Sequence, residues 1–107
     1  MNNHEAIARK LKSEGNNCSF SVYNAFKDLD LSIDFPAPRS IDGKCGALLT
    51  SLKILKEKGF ENKIEEFEEW FIYEFGYNKC VDLMTHERRC NDYVGMCSKK
   101  LDEILNI

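Results

Sequence analysis

Apolar residues recur at helical spacing along nearly the whole chain, and glycines separate the runs. The runs predict helices at 4–14, 18–29, 44–58, 61–75 and 90–104, with a brief helical turn at 80–85. Asn3 and Asn17 stand where N-caps belong, and Gly15, Gly59 and Gly76 stand where helices end. No run alternates between apolar and polar residues as a strand does. The sequence therefore predicts an all-α fold, a small single-domain bundle of about five helices.

Length and charge narrow the classes of function. The chain has 107 residues and no dividing linker, so we expect one helical domain over 1–107. Its 15 basic and 18 acidic residues give a net charge of −3, which argues against a nucleic-acid partner. No run reaches the ~18 to 20 apolar residues of a membrane span. The polar start, residues 1–5, does not resemble a secretory signal, so we expect a cytoplasmic protein with no membrane partner.

Cysteine is the unusual component, with five in the chain. Four of them stand at or near the start of a predicted helix: Cys18, Cys45, Cys80 and Cys90. A helix start presents unpaired N–H groups and the positive end of the helix dipole, and both favour the reactive thiolate. Basic residues precede three of the four and add weakly to that effect: Lys44, Lys79 and Arg89. Cys97 lies in mid-helix and is predicted to be a small core residue.

Spacing alone leaves the role of the four cysteines open. No Cys-x-x-Cys pair occurs, and the intervals of 27, 35 and 10 residues match neither a zinc ribbon nor a ferredoxin. Each cysteine also continues the apolar stripe of its helix, which a packing role would explain equally well. Helices whose starting ends converge would bring the sulfurs together. Packing, metal binding and redox chemistry all remain open at this point.

The segment Gly43-Lys44-Cys45-Gly46-Ala47-Leu48-Leu49-Thr50 carries a resemblance to a known family. With Cys18 upstream and Cys80 and Cys90 downstream, the chain resembles the redox-active proteins named for their C_GCAxxG_C_C signature. Asn17-Cys18-Ser19, the segment 75–83 and the segment 90–94 also resemble their counterparts. The resemblance covers about residues 5 to 105. Thr50 stands where the signature ends in glycine, which implies a wider helix crossing or a local repacking.

The resemblance implies a redox or electron-transfer protein whose four signature cysteines act together. The cysteine module is also similar to the iron–sulfur part of split-Soret cytochromes, which implies that Cys18, Cys45, Cys80 and Cys90 bind a [2Fe–2S] cluster. Without metal, two of the four would cycle between dithiol and disulfide, with Cys45 and Cys18 as the candidate redox thiols. Gly43 and Gly46, which flank Cys45, are the candidate cofactor-binding residues. A redox enzyme and an electron-transfer protein both fit, each with a redox partner protein.

Two alternatives come from other classes. Four cysteines closing around zinc would make a structural metal-binding module. A helical interaction module would use its cysteines for packing and expose a docking surface made of Phe60, Trp70, Phe71 and Tyr73. Homodimer formation also stays open. The two histidines, His4 and His86, are predicted to be exposed, near the terminus and in a loop respectively.

Overall fold

The computed structural model describes residues 3–29, 43–86 and 89–106, with the side chains of Met84 and His86 outside the description. These residues form six α-helices: α1 (His4–Ser13), α2 (Cys18–Ala25), α3 (Gly46–Glu57), α4 (Ile64–Phe75), α5 (Cys80–His86) and α6 (Cys90–Leu105). Short 3₁₀ turns follow α2 (Lys27–Leu29) and precede α4 (Glu61–Lys63). The described ranges contain no strand, only one isolated antiparallel bridge between Lys44 and Lys79. The predicted all-α class is confirmed.

The two asparagine caps form as predicted. The Asn3 side chain accepts a hydrogen bond from Ala6 N at 3.1 Å, and the Asn17 side chain accepts one from Phe20 N at 2.7 Å. The capping oxygens satisfy donors that a helix start leaves unpaired. Asn17 therefore fixes where α2 begins and places the next residue, a cysteine, in the first turn.

Helices α2 and α3 are shorter than predicted. The Phe26 N–H is shared between Val22 O and Tyr23 O, both at 3.3 Å, and the chain continues as the 3₁₀ turn at 27–29. α3 starts at Gly46, two residues later than predicted, because Lys44 is in the bridge and Cys45 is the N-cap. The end of α2 is thus set by a local 3₁₀ turn, whereas the start of α3 is set by a tertiary bridge, which a periodicity does not contain.

The core is centred on α6, which packs against α1, α2 and α3. Gly95 lets α1 approach α6, because a Cβ at that position would collide with the guanidinium of Arg9. Arg9 pairs there with Asp92 at 2.9 Å and with Glu5 at 3.0 Å. This ionic contact fixes the N-terminal helix across the first turns of α6.

The prediction that His4 is exposed is wrong. Its side chain is buried, and its ring stacks on Phe26 at a centroid distance of 4.1 Å and an angle of 11°. Nδ1 lies 2.7 Å from an oxygen of Asp102, and Nε2 lies 3.0 Å from an oxygen of Asp28. These partners are far away in sequence, so proximity to the terminus was a misleading guide.

The predicted aromatic docking surface does not form as one surface. Phe71 is fully buried and contacts the rings of Phe75 and Tyr93. Phe60 and Trp70 are half-buried and pack against the core. Tyr73 alone of the predicted four is highly exposed, because it lies on the opposite side of α4 from Phe71.

Candidate thiol site

The four signature cysteines stand at helix starts, as the sequence predicts. Cys18, Cys80 and Cys90 are the first residues of α2, α5 and α6, and Cys45 is the N-cap of α3. All five cysteines of the chain are free thiols. Cys45 is buried, whereas Cys18, Cys80 and Cys90 are half-buried. The site therefore lies at the edge of the core, with Cys45 inside the core and the other three cysteines partly exposed.

Three of the four sulfurs are in contact. The Cys18 thiol is hydrogen-bonded to Cys45 and to Cys90. The contact with Cys45 raises the pKa of Cys18, and the contact with Cys90 lowers it. Cys18 is therefore the sulfur that contacts both of the others.

A glycine explains how Cys18 and Cys45 meet. The residue after each cysteine, Ser19 in α2 and Gly46 in α3, forms the closest approach of the two helix starts. A Cβ on Gly46 would collide with the Ser19 hydroxyl and would lie 3.1 Å from the Ser19 backbone nitrogen. Both residues are buried. Gly46 therefore has a packing role here, and the cofactor-binding role predicted for it stays a prediction.

The isolated bridge brings the fourth cysteine to the same region. Cys45 N donates to Asn78 O at 2.9 Å, and Cys80 N donates to Gly43 O at 2.9 Å. These two hydrogen bonds flank the Lys44–Lys79 bridge and hold the backbone of Cys45 next to the segment that carries Cys80. Gly43 supplies its carbonyl from a positive φ of 71°.

The Cys18 thiol holds its proton strongly. Its pKa is raised well above the ordinary value, first by the hydrogen bond to Cys45, then by burial, then by the charge of an ionised Cys45. The Lys12 ammonium opposes these effects. At Cys18 the neighbouring sulfur and burial thus act against the thiolate that a helix start favours.

The basic residues beside the cysteines are engaged elsewhere. Lys44 Nζ lies 2.7 Å from Glu68 Oε2, and Arg89 Nε lies 3.2 Å from Asp92 Oδ2. Glu68 Oε2 also accepts a hydrogen bond from Asn78 Nδ2 at 3.1 Å. One carboxylate on α4 thus holds both sides of the bridge. The Lys12 ammonium, near the end of α1, acts on Cys18 instead, and no local signal in the sequence marks it.

Cys97 and Tyr93 complete the surroundings of the site. Cys97 is fully buried, as predicted for a core residue, and its sulfur is hydrogen-bonded to Ser51. Burial raises the pKa of Cys97, and the charge of an ionised Cys18 would raise it further. Burial also raises the pKa of Tyr93, which lies close enough to Cys90 and Cys45 to feel their charges. Tyr93 stands three residues after Cys90 on α6, and this spacing is the sequence feature that indicates that the two side chains are neighbours.

The contacts among the described thiols do not amount to a ready-made metal site. Within 3–29, 43–86 and 89–106, no three or more His, Cys, Asp or Glu side chains are arranged as a ready-made metal site. In the described part of the chain, no helix combines the length and the apolar composition that a membrane crossing requires. Comparison with family models, with curated proteins and with solved structures yields no match.

Proposed function

We propose that this is a thiol redox protein in which Cys45 and Cys18 cycle between dithiol and disulfide. The observation that supports it most is the direct hydrogen bond between the two thiols. Sulfurs in contact need only a small displacement to form a bond, and the packing of Gly46 on Ser19 holds their helices together. The resemblance to the C_GCAxxG_C_C proteins points the same way.

Cys45 is the attacking thiol of the proposed cycle. Its contact with Cys18 raises the pKa of Cys18, so Cys18 keeps its proton and Cys45 is the sulfur assigned to the attack. The Cys45 thiolate attacks a disulfide of a partner protein, which forms a mixed disulfide and releases one partner thiolate. At this stage the disulfide bond of the partner is broken, and Cys45 is bonded to one of the two partner sulfurs.

Cys18 is the resolving thiol. Once Cys45 is in the mixed disulfide, its negative charge no longer opposes ionisation of Cys18. Cys18 then loses its proton, attacks the Cys45 sulfur and releases the second partner thiolate, which takes up a proton. The partner disulfide is reduced and the Cys18–Cys45 disulfide is formed. Cysteines that are not in disulfides persist in reducing compartments, so we propose that the protein is cytoplasmic.

Equilibration with glutathione redox buffers tests the proposal. The reduced and oxidised forms are separated by alkylation of free thiols and counted by mass. We expect two of the five thiols to be lost in one two-electron step, and we expect Cys18→Ser and Cys45→Ser each to abolish it. Cys97→Ser is the matched control and keeps the step. A thiol count that stays at five under oxidising buffers would refute the proposal.

A [2Fe–2S] cluster is the second candidate: Cys18 contacts Cys90 as well as Cys45, although the described side chains are not arranged as a ready-made metal site. Four thiols are the standard ligand set, and the chain would hold the cluster through Cys18, Cys45, Cys80 and Cys90. A bound cluster supplies one-electron transfer, which the backbone N–H groups near the sulfurs would tune. Protein purified without oxygen should then contain about two iron and two sulfide per chain. One zinc per chain would instead indicate the structural metal module.

A further inference from the structure

An exposed surface lies on α4. Its outer face consists of Glu65, Glu69, Ile72 and Tyr73, which follow one another at helical spacing. Tyr73 is 86% exposed and Ile72 is 40% exposed. Burying an aromatic side chain that is this exposed would contribute favourably to the free energy of binding, because Tyr is among the residues that contribute most at protein interfaces.

One residue of α4 connects this helix to the segments that carry two of the cysteines. Ile72 lies one helical turn after Glu68, whose carboxylate contacts both Lys44 and Asn78. Those two residues belong to the bridge segments that carry Cys45 and Cys80. Tyr77, 37% exposed, follows the end of α4 and leads into the Cys80 segment.

The charge around this face selects the partner. Glu65 and Glu69 are exposed, and neither has an ion-pair partner among the described residues. Lys79 is the exposed cation of the neighbouring segment. A second copy of the same face would set carboxylates against carboxylates, and the chain is acidic overall, with a net charge of −3. Charge complementarity thus favours a basic partner over self-association.

We propose that the outer face of α4 is the docking surface for a basic protein, the redox partner, with Tyr73 and Ile72 buried at the centre of the contact. The inference rests on the proposed thiol function only for the partner's role, because docking itself needs no chemistry. The carboxylates steer a lysine- or arginine-rich surface to the site, and the apolar pair holds it.

A pair of cysteine peptides tests the proposal. Each peptide carries its cysteine as a mixed disulfide with thionitrobenzoate, flanked by lysines in one and by glutamates in the other. Attack by a protein thiolate on the peptide sulfur forms the protein–peptide disulfide and releases the coloured thionitrobenzoate anion. At low ionic strength we expect the basic peptide to react about tenfold faster than the acidic one, and the preference to vanish in about 1 M salt.

Variants locate the effect. Glu65→Gln/Glu69→Gln should slow the basic peptide about fivefold at low salt, and Tyr73→Ser should slow it at every salt concentration. Glu14→Gln/Glu57→Gln is the control with the same change of charge at the C-terminal ends of α1 and α3. Equal loss in the control variant, or equal rates for the two peptides, would overturn the docking surface.

A measurement without chemistry separates the two proposals. The basic peptide with serine in place of cysteine is titrated against labelled protein, and amide NMR shifts are followed. Shifts confined to Ile72, Tyr73 and Tyr77 support docking even if no thionitrobenzoate is released, a result that would count against the thiol function alone. No shift on this face would overturn the docking surface, whatever the thiols do.

Discussion

Gly46→Ala tests the packing that brings Cys18 and Cys45 together. The added methyl would collide with the Ser19 hydroxyl and approach the Ser19 backbone nitrogen to 3.1 Å. Overpacking of this kind costs about 1–3 kcal/mol, and alanine returns up to about 1 kcal/mol of helix propensity. We therefore expect a loss of about 1–2 kcal/mol in the free energy of unfolding, measured by urea denaturation under reducing conditions.

Ser19→Ala provides the matched rescue. The Ser19 hydroxyl is buried and has no hydrogen-bond partner in the described structure, so its removal should cost nothing or stabilise by up to about 1 kcal/mol. The double variant Ser19→Ala/Gly46→Ala should recover most of the loss, with a coupling energy of about 1 kcal/mol. Gly15→Ala is the control, because its cost comes from a positive φ of 97° and is not rescued by Ser19→Ala.

The same variants test the link from packing to chemistry. Gly46→Ala alone should slow formation of the Cys18–Cys45 disulfide, and the double variant should restore the rate. The reasoning is refuted if Gly46→Ala is as stable as the wild type, or if Ser19→Ala rescues neither stability nor disulfide formation. Rescue of stability without rescue of the rate would show that this contact does not position the sulfurs.

Three further predictions follow from buried and charged groups. Burial raises the pKa of Cys97, and the Cys45 contact raises the pKa of Cys18, so the unfolded state loses these protons first. The contribution of these thiols to the free energy of unfolding should be fully present below the unfolded thiol pKa of about 8.5. Above that pH it should fall by about 1.4 kcal/mol per pH unit per thiol. Cys97→Ala should make this fall less steep when the free energy of unfolding is measured in urea from pH 8 to about 10. Arg9 lowers the pKa of Asp92, so this carboxylate stabilises the fold above its unfolded value of about 3.9 and the contribution disappears as pH falls; Asp92→Asn should make acid unfolding less steep, and an unchanged profile would count against the Arg9 pair. His4→Ala removes a ring stacked on Phe26 and the contacts with two carboxylates, and should cost about 2–3 kcal/mol in thermal unfolding; a cost under about 1 kcal/mol would contradict the buried cluster.

The sequence predicts the helices well because helix signals are local. Asn3 and Asn17 cap their own helices, and apolar spacing of 3.6 residues identifies each buried face. The helix-start positions of the cysteines follow from the same local signals. The burial of His4 could not be predicted, because its partners Asp28 and Asp102 lie elsewhere in the chain.

The candidate site is only partly predictable for the same reason. That Cys18, Cys45 and Cys90 meet depends on how α2, α3 and α6 pack, and the glycine after Cys45 is the one local hint of that contact. The electrostatic environment of the thiols depends on which lysine or arginine side chain lies near them in the fold. Lys44 precedes Cys45 in sequence but pairs with Glu68, whereas Lys12 acts on Cys18 from α1.

Peptide mapping of the mildly oxidised protein tests the central claim most directly. The reduced chain is exposed to a small excess of oxidised glutathione, its remaining thiols are alkylated, and the digest is read by mass spectrometry. The account predicts one intramolecular disulfide that joins the peptide of Cys18 to the peptide of Cys45, with Cys97 alkylated only after unfolding. A disulfide that omits both Cys18 and Cys45, or recovery of all five cysteines as alkylated thiols, would contradict it.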